Sequence, residues 1–117
     1  MIDKEPNSEL AIAVLIPCHN EELTIAKVIS DFHSCIPHSM IYVYNNVSTD
    51  RTSEVAKLSG AKVFDEPNKG KGSVTKRMFA DIEADIFIIV DGDDTYDASQ
   101  ARNMVNLLIN NNLDMVI

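Results

Sequence analysis

Basic residues are scarce: 10 Lys and Arg stand against 18 Asp and Glu, for a formal net charge of −8. A surface this acidic repels phosphate backbones at long range, which argues against nucleic acid as a partner. It also offers no polybasic handle to an anionic membrane. Long apolar runs are missing as well. The longest, Leu10 to Ile16 and Ile86 to Val90, fall far short of the roughly 20 residues that a membrane helix requires. The first residues, Met1-Ile-Asp-Lys-Glu-Pro6, are polar and acidic, unlike a secretory leader. Only two cysteines occur, Cys18 and Cys35, so neither a disulfide framework nor a zinc site is expected. Two reduced thiols without a membrane segment predict a soluble, cytoplasmic protein.

Repeats, low-complexity tracts and linkers are also absent. With 45% hydrophobic and 24% charged residues in 117, the chain has the composition of one folded domain. What recurs is an alternation of short β-rich runs with longer stretches of helical periodicity. Leu10 to Ile16 is a continuous apolar run ended by Pro17, as in a strand buried on both faces. Asn20 is the expected cap of a helix whose face carries Ile25, Ile29, Phe32 and Ile36. Met40 to Tyr44 predicts a second strand, and Ser48, Thr49 and Asp50 offer caps for a helix ending at Gly60. A third strand spans Ala61 to Phe64, followed by a helix marked by Val74, Met78 and Ile82. Ile86 to Val90 is the most β-committed stretch. Ala101, Met104, Val105 and Leu108 mark a fourth helix, and Leu113 to Ile117 opens a fifth strand.

This alternation predicts an α/β fold, a Rossmann-like and mainly parallel sheet with helices on both faces. In such sheets ligands sit beyond the carboxyl ends of the strands. Four polar clusters occupy those ends: Pro17 to Glu22, Asn45 to Asp50, Asp65 to Gly72 and Asp91 to Asp97. The last is the sharpest, with four carboxylates in seven residues. Two carboxylates about 5 Å apart repel by roughly 3 kcal/mol at an effective dielectric near 20. An isolated acidic triplet is more often a solvated loop, with Asp97 capping the next helix. Placement after a central strand instead suggests hard oxygen ligands for Mg²⁺ or Mn²⁺, completed by a substrate phosphate. Lys69-Gly-Lys-Gly72 suits either a phosphate at a helix N-terminus or a flexible turn. It is not a P-loop, and no GxGxxG exists. His19 stands at the binding edge, while His33 and His38 suit surface or packing positions. Cys18 is expected to be a buried thiol rather than a nucleophile.

Taken together, the four clusters resemble the nucleotide-sugar-binding half of family-2 glycosyltransferases with the GT-A fold. Val14 to Glu22 is similar to that family's first strand and Pro-x-x-Asn-Glu turn, and Tyr44 to Thr52 to its second-strand motif. Asn68 to Arg77 is similar to the Asn-x-Gly-Lys-Gly loop with its downstream arginine. Val90 to Asp97 looks like the Asp-x-Asp metal motif, in the form found among polyprenyl-phosphate sugar transferases such as dolichyl-phosphate mannose synthases. Asn45 stands where the family has Asp. The resemblance implies inverting transfer from a nucleoside-diphosphate sugar with Mg²⁺ or Mn²⁺. It implies donor contacts from Pro17, Asn20, Glu21, Asn45, Asp50, Lys71 and Asp91, with Arg77 toward the phosphates. Metal ligation falls to Asp91, Asp93 and Asp94.

On this reading residues 1–10 are a tail and 11–117 the donor part of a truncated GT-A domain. The family's acceptor half and its carboxylate base have no counterpart, so no catalytic residue is assigned. The 117 residues alone are then expected to self-associate as homo-oligomers and to be inactive in transfer. A non-catalytic nucleotide-binding or interaction module is the alternative. A phosphorylated receiver domain fits less well, because its acidic pair follows the first strand, whereas the acidic cluster here follows the fourth.

Overall fold

A computed structural model describes residues 10–110. Within them the chain alternates without exception: β1 (Ile12–Cys18), α1 (Ile25–Cys35), β2 (Met40–Asn46), α2 (Thr52–Leu58), β3 (Lys62–Glu66), α3 (Lys71–Asp81), β4 (Ile86–Ile89) and α4 (Ala98–Asn110). The sheet order is β3-β2-β1-β4 and every pairing is parallel. The expected α/β class and parallel sheet are therefore what forms. The expected strand Leu113 to Ile117 lies outside the described residues.

β1 is central, and its pleat divides the apolar run between two cores. Ile12, Val14, Ile16 and Cys18 face one side, where Ile25, Ile29 and Phe32 of α1 pack together with Ala101 and Val105 of α4. Ala13 and Leu15 face the other, against Tyr44 of β2 and Val74, Met78 and Ile82 at α3. Period-2 alternation on a strand buried on both faces accounts for the unbroken hydrophobic run. Truncating Leu15 or Ile16 to Ala costs about 2–5 kcal/mol by the usual transfer and cavity terms.

The helix faces follow the expected spacing, and Ile25, Ile29, Phe32 and Ile36 are all buried. The helix starts differ. α1 begins at Ile25 after Thr24, not at an Asn20 cap, and Asn20 adopts a left-handed φ of 54°. α2 begins at Thr52, where the Asp50 carboxylate accepts the Thr52 N–H at 2.9 Å and its hydroxyl. Among the described residues, no helix is long and apolar enough to cross a membrane.

Candidate functional site

β1, β2 and β3 progress in one direction across the sheet, and β4 returns to the other side of β1. The reversal opens a crevice beyond the carboxyl ends of β1 and β4, the place where parallel sheets bind ligands. A cleft of about 130 Å³ lies there. Pro17, Cys18, His19 and Glu21 wall it from the end of β1, Asn46 from β2, Val74 from α3, and Asp91 and Asp93 from the loop after β4. A larger groove of about 410 Å³ runs between β4 and α4, but its walls are mainly apolar. The strand-end chemistry meets in the smaller cleft.

The acidic loop is seated by Gly92. A Cβ built on Gly92 would stand 2.6 Å from Cys18 Sγ and 3.3 Å from Ile25 Cδ1, so only hydrogen fits. The Gly92 carbonyl accepts the Thr24 hydroxyl at 2.6 Å. Close backbone approach over β1 thus holds the flanking Asp91 and Asp93 at the cleft mouth. Asp93 Oδ1 accepts the N–H and hydroxyl of Thr95, at 3.1 and 2.6 Å, which fixes the carboxylate's orientation.

Charge within the cleft is of one sign. Burial, then the negative field of Asp93 and Asp91, raise the Glu21 carboxyl above the ordinary glutamate range, against a backbone hydrogen bond and His19. Burial, followed by Glu21, Asp91 and Asp50, pushes the Cys18 thiol far up, so it is neutral and inert, as expected. A cleft with this field suits a cation. Asp91 and Asp93 supply hard oxygen donors. Among the described residues no group of three or more His, Cys, Asp or Glu closes around a metal. Two protein carboxylates with substrate phosphate and water making up the shell is the Mg²⁺-like pattern.

The structure does not gather every residue singled out from the sequence. Asp94, with a left-handed φ of 64°, turns to Lys27 of α1 at 3.1 Å, and Lys27 also pairs with Asp31 at 2.7 Å. Asn20 and Asp50 are committed to joining two loops. Asn20 Oδ1 accepts the Thr49 N–H at 2.8 Å, its N–H donates to Ser48 Oγ at 3.0 Å, and Asp50 Oδ2 accepts the Glu22 N–H at 3.2 Å. Thr52 Oγ1 accepts the Glu21 N–H at 2.8 Å, so the β1–α1 and β2–α2 loops form one clasp. Asn45 pairs with Asp65 across β2 and β3 at 3.0 Å, and its Oδ1 is buried with no hydrogen-bond partner among the described residues. Arg77 is not among the residues that wall the cleft. It bonds Asp81 at 3.1 Å and the Asp65 carbonyl, and its guanidinium lies 5.8 Å from the Tyr44 ring. Lys71 opens α3, and its side chain lies outside the described part of the structure.

Asn46 is the cleft residue that the sequence reading passed over. It is 8% exposed, and its carboxamide makes three hydrogen bonds to the β3–α3 loop. Its place one residue after Asn45, at the end of a strand with buried alternate positions, was the available signal.

Known proteins are similar to this chain. The protein RfbJ of Shigella flexneri is 59% identical over 106 residues, spanning 91% of this chain and 82% of RfbJ. Glycosyltransferase AglJ of Haloferax volcanii is 37% identical over 99 residues, 84% of this chain but 32% of AglJ. Among solved structures, glucosyl-3-phosphoglycerate synthase of Mycobacterium tuberculosis, in complex with Mn²⁺, UDP and glucosyl-3-phosphoglycerate, superposes with a TM-score of 0.76 at 27% identity. That match covers 87% of this chain and 40% of the synthase, so the chain spans well under half of two of these three proteins. Residues 13–117 match the model of glycosyl transferase family 2, and with the strand order and cleft described above, the chain belongs to that family.

Proposed function

We propose that this chain binds the nucleoside-diphosphate sugar of a family 2 glycosyltransferase, together with Mg²⁺ or Mn²⁺, for inverting sugar transfer. One observation carries the reading: Asp91 and Asp93 share a cleft with the end of β1 and the first turn of α3. The related synthase, solved with Mn²⁺ and UDP, supports it. Base and ribose lie against Pro17 and Glu21, with Asn45 beneath, inside the loop clasp that Asn20 and Asp50 hold. The diphosphate lies toward Asp91 and the N-terminus of α3, where Lys71 and the amides of the first helical turn favour an anion. Asp93 and Asp91 hold the metal.

In the transfer, a lone pair of the acceptor oxygen forms the new bond at the anomeric carbon as the bond to the diphosphate breaks, and a hydroxyl acceptor gives up its proton to water or to a base, none being assigned among these residues. The bonding pair leaves on the diphosphate oxygen. A divalent cation, when bound, neutralises charge developing on that leaving group. The chain's own part is to fix the donor in line, with Asp91 and Asp93 oriented by the Gly92 seat and the Thr95 turn. The same reading places the protein in the cytoplasm, with Cys18 and Cys35 as free thiols. It also includes self-association into homo-oligomers, which light scattering reads as a species heavier than one chain.

Titration calorimetry of the chain with UDP or GDP tests the donor site. Affinity is expected to rise at least tenfold with Mn²⁺ or Mg²⁺ over EDTA. Equal affinity in EDTA overturns the metal assignment, and failure to bind either nucleotide overturns the donor site.

A further inference from the structure

Asn46 closes β2 at the cleft wall, and its carboxamide has no hydrogen-bonding capacity to spare for donation. Its Nδ2 donates one hydrogen to the Glu66 carbonyl at 3.0 Å and the other to the Asn68 carbonyl at 2.8 Å. Its Oδ1 accepts the Gly70 N–H at 3.0 Å. Two carbonyls and one amide surround the group, so only this orientation of the carboxamide satisfies all three. The Asn46 backbone carbonyl accepts from His19 Nδ1 at 2.8 Å. A carbonyl can only accept, so the ring proton sits on Nδ1.

One buried side chain thereby ties the ends of β2 and β3 to the turn that precedes α3. Glu66 accepts the Asn68 N–H at 2.7 Å, and Gly70 has φ 118°, with no heavy atom within 4 Å of a Cβ built there. Glycine is required at that position for its backbone angle and not for space. α3 starts at the next residue, and its Val74 N–H bonds back to the Gly70 carbonyl at 3.4 Å. The site of Gly70 therefore sets where the first amides of α3 point.

We infer that Asn46 is a positioning residue for the diphosphate end of the donor: by fixing Asn68 and Gly70 it aims the N-terminus of α3 into the cleft. The inference rests on the donor-site reading above. It leaves Asn46 unable to donate to the nucleoside, because both of its N–H donors are already taken by backbone carbonyls.

The test compares UDP with uridine, titrated in the presence of Mg²⁺ into the isotope-labelled full chain and followed by chemical shifts. Asn46→Asp keeps an acceptor for Gly70 but sets an oxygen against the Glu66 and Asn68 carbonyls. UDP affinity is expected to fall at least tenfold while uridine affinity changes less than twofold. Gly70→Ala disturbs the same turn through its backbone alone and is expected to show the same selective loss, which carries the test if Asn46→Asp fails to fold. Equal losses for both ligands overturn the inference, since a merely structural or base-contacting residue behaves that way. Unchanged UDP affinity in both variants also overturns it. If the unaltered chain binds neither ligand, the donor-site reading falls first and the inference with it.

Discussion

Gly92 makes the sharpest prediction about how the acidic loop is held. Its φ lies outside the left-handed region, so an alanine there meets no backbone penalty. Loss of glycine's unfolded-state freedom would by itself stabilise by about 0.4–1 kcal/mol. Against this, the new methyl would sit 2.6 Å from Cys18 Sγ, a buried atom on the last residue of β1. Contact with Ile25 Cδ1 at 3.3 Å is relieved by a small side-chain shift, and Ile16 Cγ2 at 3.5 Å needs none. Overpacking of this kind costs about 1–3 kcal/mol. The net for Gly92→Ala is then a loss of about 1–2 kcal/mol, seen as a fall of roughly 5–12 °C in thermal midpoint for a domain of this size. Cys18→Ala alone costs about 1 kcal/mol for the lost buried atom. The double variant is predicted to be no less stable than Gly92→Ala, because the vacated sulfur position accepts the methyl. Urea unfolding of the four proteins measures the coupling, expected at about 1–2 kcal/mol in the relieving direction. A coupling within about 0.3 kcal/mol of zero, as for independent sites, would refute the reasoning.

Asp93→Asn is expected to abolish the dependence of UDP affinity on Mn²⁺ in calorimetry. Asp94→Asn should keep that dependence and leave the urea midpoint nearly unchanged, because the pair with an exposed Lys27 is largely screened. At Asp50, burial is outweighed by hydrogen bonds from the Thr52 hydroxyl, the Thr52 N–H and the Glu22 N–H, which hold the carboxyl below the ordinary aspartate range. The folded protein therefore releases this proton more readily than the unfolded chain. Its contribution is complete above the ordinary aspartate value and lost as pH falls through the lowered one. Asp50→Asn should remove that acid slope in urea unfolding and cost about 1–2 kcal/mol at neutral pH. An unchanged slope would contradict the clasp. A disulfide reagent at pH 8 should label the partly exposed Cys35 and leave buried Cys18 untouched until the chain unfolds. Equal labelling rates would contradict Cys18's burial.

The fold was legible because its signals are local. β1 is a run of consecutive apolar residues, and α1 carries its buried face at spacings of three and four. Helix starts were less legible, for a physical reason. Asn20 has the sequence appearance of a cap, yet its carboxamide is claimed by Thr49, 29 residues away, and it spends its conformational freedom on a left-handed turn. Asp97 is the contrasting case. It bonds the Ser99 N–H at 2.9 Å, two residues on, so a purely local rule finds it.

The site shows the same division between local and distant partners. Four acidic residues in one short loop look equivalent on paper, and tertiary contacts make them unlike. Asp97 caps α4, Asp94 is drawn to a lysine 67 positions earlier, and Asp91 and Asp93 remain at the cleft. The basic residues divide too. Arg77 stands in the family-like loop but is held by Asp81, the Asp65 carbonyl and the faces of Tyr44 and Phe64. Lys27 is held by Asp31 and Asp94. With both cations engaged away from the cleft, neither neutralises the field that raises Glu21. On the proposed donor reading, positive charge near Asp91 and Asp93 would come from the N-terminus of α3, from Lys71, or from a bound cation. A diphosphate arriving at that helix end would claim the first two. On the proposed reading the donor and a divalent cation would complement one another: the cation would offset the carboxylates, and the diphosphate would help to complete its shell. Binding of the two should accordingly be cooperative.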